Sequence, residues 1–159
     1  VSISWKFSIT VLSIIFLLIG TSASQAVSPK YKKYIESDNA NLLLLCVEGD
    51  DQGCYFYGGR QAKAGNLKAA HDAYLVGAQN AKTRSGYVCI FQLARLYEAG
   101  QGVKPDLVKA YRWLSDILRL NGQTDLKAAA TTLRARVATK LSTEQIAFGE
   151  ALSKRVSVR

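Results

Sequence analysis

The chain has 159 residues and carries 21 Lys and Arg against 12 Asp and Glu, a formal net charge of +9. Its hydrophobic fraction of 48% excludes a disordered chain, and its length fits one domain with a core or a short array of repeats. Because the basic residues are spread along the chain, they indicate a solvated surface more than a dedicated site for an anionic partner.

The N-terminal segment, residues 1–26, has the pattern of a secretory signal peptide. Lys6 precedes an apolar run at residues 9–19, and small residues follow as far as Ala26. The run is about half of the roughly 20 residues that a membrane-spanning helix needs, so an uncleaved anchor is the weaker alternative. We predict cleavage after Ala26, or alternatively after Ala23, and export to an oxidising compartment in which disulfides persist.

Residues 27–53 predict an N-terminal helical segment. Pro29 suits the first turn of a helix, and an interruption is expected near residues 37–39. The apolar block at residues 42–45 could form a buried strand, but helix is favoured because the chain offers no second strand with which it could pair. The glycine- and aspartate-rich residues 49–53 mark a turn.

An internal repeat follows, in which Cys89 stands 35 residues after Cys54 (89 − 54). The same alignment superposes Phe56 on Phe91, Arg60 on Arg95, and Ala64-Gly65 on Ala99-Gly100. The second copy then carries a five-residue insertion at residues 101–105 before the copies realign. Each copy has the order helix, glycine-centred turn, helix, and this period is typical of a helical-hairpin solenoid. The sequence therefore predicts an all-α fold, a short α/α solenoid of antiparallel helical hairpins, with a degenerate repeat at residues 54–82 and a second repeat at 83–122.

The turn of the second copy is predicted to be a hinge between helices. Gly100 stands where a left-handed helix cap favours glycine, and Asp106 stands where an N-cap favours a short acceptor. A phosphate-binding loop is excluded because it needs a strand before its glycines and a Gly-Lys-Ser/Thr ending. Here a helical pattern leads into Gly100, and Lys104 is followed by Pro105.

Two more helices are expected in residues 123–159, as a C-terminal capping pair. Thr124 or Asp125 can cap the first helix, and Ser142 with Gln145 forms a capping-box pattern before the second. The pair is polar on one side, as the terminal element of a solenoid should be.

The second copy carries a dense motif over about thirty residues. Its positions are Leu93, Ala94, Tyr97, Gly100, Gly102, Val103, Asp106, Lys109, Ala110 and Trp113. This motif resembles the Sel-one-like repeat, a relative of the tetratricopeptide repeat, although that family usually has glycine at the position of Ala94. The first copy departs further, since it lacks the Gly-x-Gly-Val insertion, has Gly58-Gly59 in place of the Leu-Ala pair, and has Ala62 at the tyrosine position.

The resemblance implies a tetratricopeptide-like superhelix that serves as a scaffold or adaptor in protein complexes, often in bacterial envelopes or in host-directed secretion. The C-terminal pair also resembles the tail that often follows such repeats in secreted bacterial proteins. Together with the N-terminal segment, the resemblance places the expected product in the periplasm or outside the cell.

Cys46 and Cys54 lie eight positions apart across the predicted turn. If Cys46 ends one helix and Cys54 begins the next, their Cβ atoms can approach bonding distance. The spacing resembles the disulfide between successive hairpins in cysteine-rich secreted members of the Sel-one-like family, and the resemblance implies this pairing. The equivalent of Cys46 in the second copy is Ala81, so Cys89 is expected to be a small buried residue, with an intermolecular disulfide as the alternative.

The sequence points to no catalytic residue, metal or cofactor. Three cysteines at these spacings and the distant His71 do not form a zinc-ligand pattern. His71 occupies the position of Tyr111 in the alignment, so a packing or surface role is favoured over catalysis. The chain after residue 26 has neither a Cys–His–acid grouping nor a Ser-x-x-Lys motif.

Stacked hairpins form a concave surface, and such surfaces bind peptides or proteins. The candidate binding residues lie on the first helix of each copy: Arg60, Gln61, Gln92 and Arg95. The expected function is therefore a non-enzymatic interaction module with a protein or peptide partner. Nucleic acid is not an expected partner, and the membrane is one only through an uncleaved signal segment.

The sequence also allows two other functions. Some cysteine-rich relatives have been linked to β-lactam binding, so the resemblance also allows a hydrolase that acts on the cell wall or on β-lactams. The net charge alone allows a protein that binds an anionic envelope component through its basic surface. In such a protein the affinity must weaken as the salt concentration rises.

Overall fold

The computed structural model describes residues 28–156, with side chains described as far as residue 153. The predicted signal peptide and the last three residues lie outside this range. The chain divides into two units, Val1–Lys32 and Lys33–Arg159. The helical core and the sites below lie in the second unit. No helix of the described residues is long and apolar enough to cross a membrane.

Helices are the only regular elements between residues 28 and 156, and there are eight of them. In chain order they are α1 (Pro29–Glu36), α2 (Asn39–Val47), α3 (Asp51–Lys63), α4 (Leu67–Gln79), α5 (Arg84–Ala99), α6 (Leu107–Leu118), α7 (Thr124–Ala138) and α8 (Thr143–Val156). The expected break near residues 37–39 separates α1 from α2. The apolar block at 42–45 is helical rather than a strand, as the sequence predicts.

The packing order is that of a helical-hairpin solenoid, which confirms the predicted fold class. Each helix from α2 to α6 packs against the helix that follows it. The pairs α2–α4, α3–α5 and α5–α7 are also in contact. Both members of the C-terminal pair, α7 and α8, pack against α6. The main core lies around α5 and α6, where Leu93, Ala94, Ala110, Leu114 and Ile117 are fully buried.

Short polar side chains begin most of these helices, because the first backbone N–H groups of a helix have no partner within it. Asp106 caps α6 by accepting from the N–H of Lys109 at 2.9 Å, as predicted. The capping box before α8 is also confirmed. The N–H of Ser142 donates to Gln145 Oε1 at 2.9 Å, and the N–H of Gln145 donates to Ser142 Oγ at 3.3 Å.

The prediction that Thr124 or Asp125 caps α7 is wrong. The residue before the helix is Gln123, which has a left-handed backbone with φ of 57° and makes no side-chain cap. Thr124 and Asp125 are therefore the first residues of the helix itself. Asp125 still suits that place, since a carboxylate near a helix N-terminus interacts favourably with the helix dipole.

The hinge between α5 and α6 has the expected left-handed cap. Gly100 has φ of 67° and its N–H donates to the carbonyl of Leu96. Gly102 also has a positive φ, 70°, and it lies against the backbone at the start of α4. A Cβ on Gly102 would stand 2.6 Å from the backbone nitrogen of Lys68 and closer still to the carbonyl of Leu67. The insertion in the second repeat therefore packs on the first repeat.

The two copies fill their cores differently at one pair of positions. Gly58 in α3 lies under the ring of Tyr74 in α4, and a Cβ on Gly58 would stand 2.7 Å from Tyr74 Cε1. The aligned positions in the second copy hold Leu93 and Leu114, both fully buried. A glycine under an aromatic ring thus replaces a pair of leucines.

This difference between the copies predicts that a second substitution can restore the stability lost by a first one. Gly58→Leu should lower the free energy of unfolding by about 1–3 kcal/mol, because the added side chain meets the Tyr74 ring in a packed core. Gly58→Leu combined with Tyr74→Leu should recover most of that loss, since it installs the pair that the second copy uses. Urea denaturation of the single and double variants measures the coupling. Strictly additive losses would show that the two positions do not compensate each other.

Candidate functional site

A groove of about 890 Å³ lies along the first helices of the two hairpins. We call it the α3–α5 groove, and its main lining residues are Tyr55, Arg60, Lys63, Tyr74, Arg95 and Leu96. The helices α3 and α5 pack directly against each other. The groove is therefore formed by the equivalent helices of two successive repeats.

Three of the four residues predicted for binding line this groove: Arg60, Gln92 and Arg95. Gln61 does not. It is buried, and its Oε1 accepts a hydrogen bond from Asn66 Nδ2 at 2.9 Å in the turn between α3 and α4. Adjacent residues of a helix do not share a face, so the contact of Gln61 with the turn separates it from Arg60.

Arg60 has a structural role that the sequence did not reveal. One terminal nitrogen donates to the carbonyl of Ser37 at 2.7 Å and the other to the carbonyl of Ile35 at 2.8 Å. The first nitrogen also lies 3.2 Å from Asn39 Oδ1. These carbonyls belong to the C-terminal end of α1 and to the break after it, where backbone acceptors lack partners and a cation is favourable. Arg60 therefore holds the end of α1 against α3.

A bidentate ion pair closes one side of the groove and joins α5 to α7. Arg136 donates to Glu98 Oε1 from Nε at 3.0 Å and to Oε2 from a terminal nitrogen at 2.8 Å. Lys140 lies 3.7 Å from Glu98 Oε1. The hydrogen bonds from Arg136 hold the pKa of Glu98 below its ordinary value, against the opposing effect of burial.

The lowered pKa of Glu98 predicts a pH-dependent contribution to stability. A carboxyl group whose folded pKa is depressed stabilises the fold above its ordinary pKa of 4.5, and the contribution is lost as the pH falls through the lowered value. Glu98→Gln should therefore be less stable than the wild type at neutral pH, with a difference that shrinks below pH 4.5. Urea midpoints over a pH series measure it. The same substitution in an Arg136→Gln background should show a smaller convergence, because the side chain that lowers the pKa of Glu98 most is then absent.

The floor of the groove is apolar and aromatic, and its rim is cationic. Tyr74 and Leu96 are buried, with 4% and 7% exposure, whereas Lys63 and Arg95 are exposed. Burial raises the pKa of Tyr74 to about 12. Gly59 adds to the open space, because even a Cβ there would remain 3.9 Å from the Tyr74 hydroxyl. The groove can therefore hold a chain with both apolar and charged side chains.

Residues 28–153 contain no cluster of three or more His, Cys, Asp or Glu side chains that could hold a metal ion. His71 is buried in the first copy, its Nδ1 lies 3.0 Å from Asp72 Oδ1, and its ring meets Tyr97 edge-on with centroids 5.3 Å apart. These contacts agree with the packing role expected for His71.

The predicted disulfide joins Cys46 of α2 to Cys54 of α3. Both residues are buried, so the bond lies in the core between the two helices. Cys89 is a free thiol with no exposed surface, in agreement with the small buried residue expected from the sequence. Burial raises the pKa of the Cys89 thiol, and the nearby Asp51 charge adds to this effect.

Thiol chemistry should follow from this burial. The thiolate is the reactive form, and a buried thiol with a raised pKa forms little of it. The folded, oxidised protein after removal of residues 1–26 should therefore show no thiol that reacts promptly with a disulfide reagent, one after denaturation, and three after denaturation and reduction. Three thiols before reduction would refute the disulfide, and prompt reaction of the folded protein would refute the burial of Cys89.

Asp51 is a second residue whose role the sequence did not reveal. Its Oδ2 accepts from the backbone N–H groups of Lys82 and Thr83, both at 2.7 Å, and its Oδ1 accepts from Thr83 Oγ1 at 3.0 Å. This buried carboxylate fixes the turn between α4 and α5 to the start of α3. Gly86 of α5 lies against this carboxylate, and a Cβ at that position would collide with it.

A polar network docks the last helix on the solenoid. Glu150 of α8 accepts from Arg134 at 3.0 Å, from Arg119 at 2.9 Å and from Ser115 Oγ at 3.0 Å. Ser153 Oγ donates to Asp116 Oδ1 at 2.5 Å. Burial raises the pKa of Asp116. The network joins α6 and α8, so its residues serve the capping helix rather than a ligand site.

The comparisons with known proteins find no match: no family model, no curated protein and no solved structure is similar to the chain. The α3–α5 groove is the feature of the described residues that offers most to a ligand, because it combines volume, an apolar floor and exposed charge.

Proposed function

We propose that the protein is a non-enzymatic protein–protein interaction module of the Sel-one-like repeat type. It binds a segment of a partner protein in the α3–α5 groove and acts as a scaffold or adaptor in the periplasm or outside the cell. The observation that carries the proposal is the groove itself. Its volume of about 890 Å³ lies toward the upper end of the range for ligand pockets, roughly 300–1,000 Å³.

Three further observations support the proposal. The groove uses equivalent helices of successive hairpins, which is the surface that solenoids present to extended partners. The contact of Gly102 with the start of α4 gives the glycine of the repeat motif a physical reason, since a side chain there would meet the backbone of the preceding hairpin. The disulfide between Cys46 and Cys54 favours an oxidising compartment.

Selection from a random-peptide display library tests the proposal. The baits are the wild type, a Gly59→Trp variant that places a large ring in the groove, and an Ala128→Trp variant with the same ring on an exposed position of α7. The wild type and Ala128→Trp should enrich the same peptides, and Gly59→Trp should not. Enrichment no greater than on bare resin, or equal enrichment by Gly59→Trp, would contradict the assignment of the groove as the binding site.

A further inference from the structure

We propose that the α3–α5 groove selects an acidic peptide segment, in which carboxylate side chains alternate with apolar ones. This inference rests on the proposed function and names the chemistry of its partner. It follows from the charges that the groove leaves without a carboxylate partner and from the position of those charges above an apolar floor.

The charge of the groove is unbalanced. Its one acidic lining residue, Glu98, is engaged by Arg136 and Lys140. Within the described residues no carboxylate lies at ion-pair distance from Lys63 or Arg95, and the contact recorded for Arg95 is a neutral one, to Gln92 Oε1 at 3.1 Å. Arg60 adds a third positive charge beside them, although its donors are used by backbone carbonyls. An acidic partner would supply the missing anions.

The positions of these groups favour an alternating segment. Lys63 stands on α3 and Arg95 on α5, so each wall of the groove carries one exposed cation. The buried Tyr74 and Leu96 and the half-buried Tyr55, Ala62 and Leu67 supply its apolar lining. Successive side chains of an extended peptide point to opposite sides. Such a peptide can turn its apolar side chains to the floor while its carboxylates meet the cations.

The aromatic residues argue for a peptide over a single-stranded nucleic acid. Nucleic-acid bases stack on exposed aromatic faces. Here Tyr74 is 4% exposed, and Phe56 is already stacked on Tyr34 with ring centroids 5.5 Å apart. The half-buried Tyr55 meets Phe56 edge-on, with ring centroids 5.2 Å apart. The groove therefore offers little aromatic surface for stacking, and its few cations suit a short segment with a few carboxylates.

Fluorescence anisotropy measures the preference directly. The probe is a short fluorescein-labelled peptide in which glutamate alternates with leucine, and its twin has glutamine in place of glutamate. The groove variant is Lys63→Gln with Arg95→Gln. The matched control, Lys82→Gln with Lys104→Gln, removes the same charge from two exposed lysines outside the groove. Oligothymidylate serves as an anionic competitor of a different chemical class.

The acidic probe should bind the wild type and the control pair alike. The groove variant should bind it about tenfold more weakly, because two partly exposed charge pairs contribute about 1.4 kcal/mol together. The wild type should bind the glutamine peptide about tenfold more weakly than it binds the acidic probe. An equal loss in the control pair, or displacement of the probe by oligothymidylate, would overturn the inference. If the twins bind equally while the display selection succeeds, the acidic preference fails and the proposed function stands; if neither binds and the selection fails, both fall.

Discussion

Replacement of Gly102 by alanine should lower the free energy of unfolding by about 2–5 kcal/mol. About 1–2 kcal/mol comes from the left-handed backbone, which disfavours any residue with a Cβ. About 1–3 kcal/mol comes from overpacking, because the new methyl group meets the backbone of Leu67 and Lys68, which cannot turn aside as a flexible side chain could. The loss would also loosen the contact between the two hairpins that form the groove.

Two other glycines of the chain separate these two causes. Gly65 and Gly122 also have positive φ, 80° and 66°, but a Cβ on either would meet nothing within 4 Å. Gly65→Ala and Gly122→Ala should therefore lose only the backbone contribution of about 1–2 kcal/mol. Urea denaturation followed by circular dichroism gives all three values. Equal losses in the three variants would show that the Gly102 loop does not press on α4.

Removal of the disulfide should cost about 2–4 kcal/mol in a Cys46→Ala/Cys54→Ala variant. The bond closes a short loop, and opening it restores conformational freedom to the unfolded chain. A loss of this size is a large part of the roughly 5–15 kcal/mol that stabilises a typical domain. The effect should be pronounced here because Cys46 and Cys54 belong to a smaller cluster of buried residues, separate from the main core around α5 and α6.

Reduction provides the internal control for this variant. The wild type unfolded in the presence of a strong reductant should refold with the stability of the double variant, and the double variant itself should be insensitive to reductant. Cys89→Ala removes a buried sulfur without opening a loop, so it should keep its sensitivity to reductant. A double variant as stable as the oxidised wild type would show that the disulfide contributes nothing.

Local signals in the sequence were enough to predict the helices and the hinge. Three kinds of signal are local: a glycine that ends a helix, an aspartate that begins one, and the serine–glutamine capping box. In each of them the partners lie within about four residues, so the pattern is visible in the sequence. The Cys46–Cys54 pairing was also within reach, because both residues flank one predicted turn and their spacing resembles that of the disulfide in the Sel-one-like family. The predicted cap of α7 was wrong because Gln123 precedes the helix with a left-handed backbone and makes no side-chain cap.

The residues that the sequence did not assign have distant partners. Asp51 accepts from backbone groups 31 and 32 positions later, and Arg60 donates to carbonyls 23 and 25 positions earlier. No spacing rule links a side chain to a backbone carbonyl so far away. The groove was predictable only in part for the same reason. The sequence placed three of its lining residues on the first helices of the repeats, but it did not reveal that Glu98 pairs with Arg136.

Mapping of backbone amide shifts by nuclear magnetic resonance tests the central claim, that the α3–α5 groove is the binding site. The acidic probe peptide is titrated into isotopically labelled protein. The largest shifts should fall on residues 59–63 of α3 and 92–99 of α5, and they should disappear in Gly59→Trp. Shift changes concentrated on α7 and α8 would contradict the assignment. So would an absence of shift changes at a peptide concentration that saturates the binding measured by anisotropy.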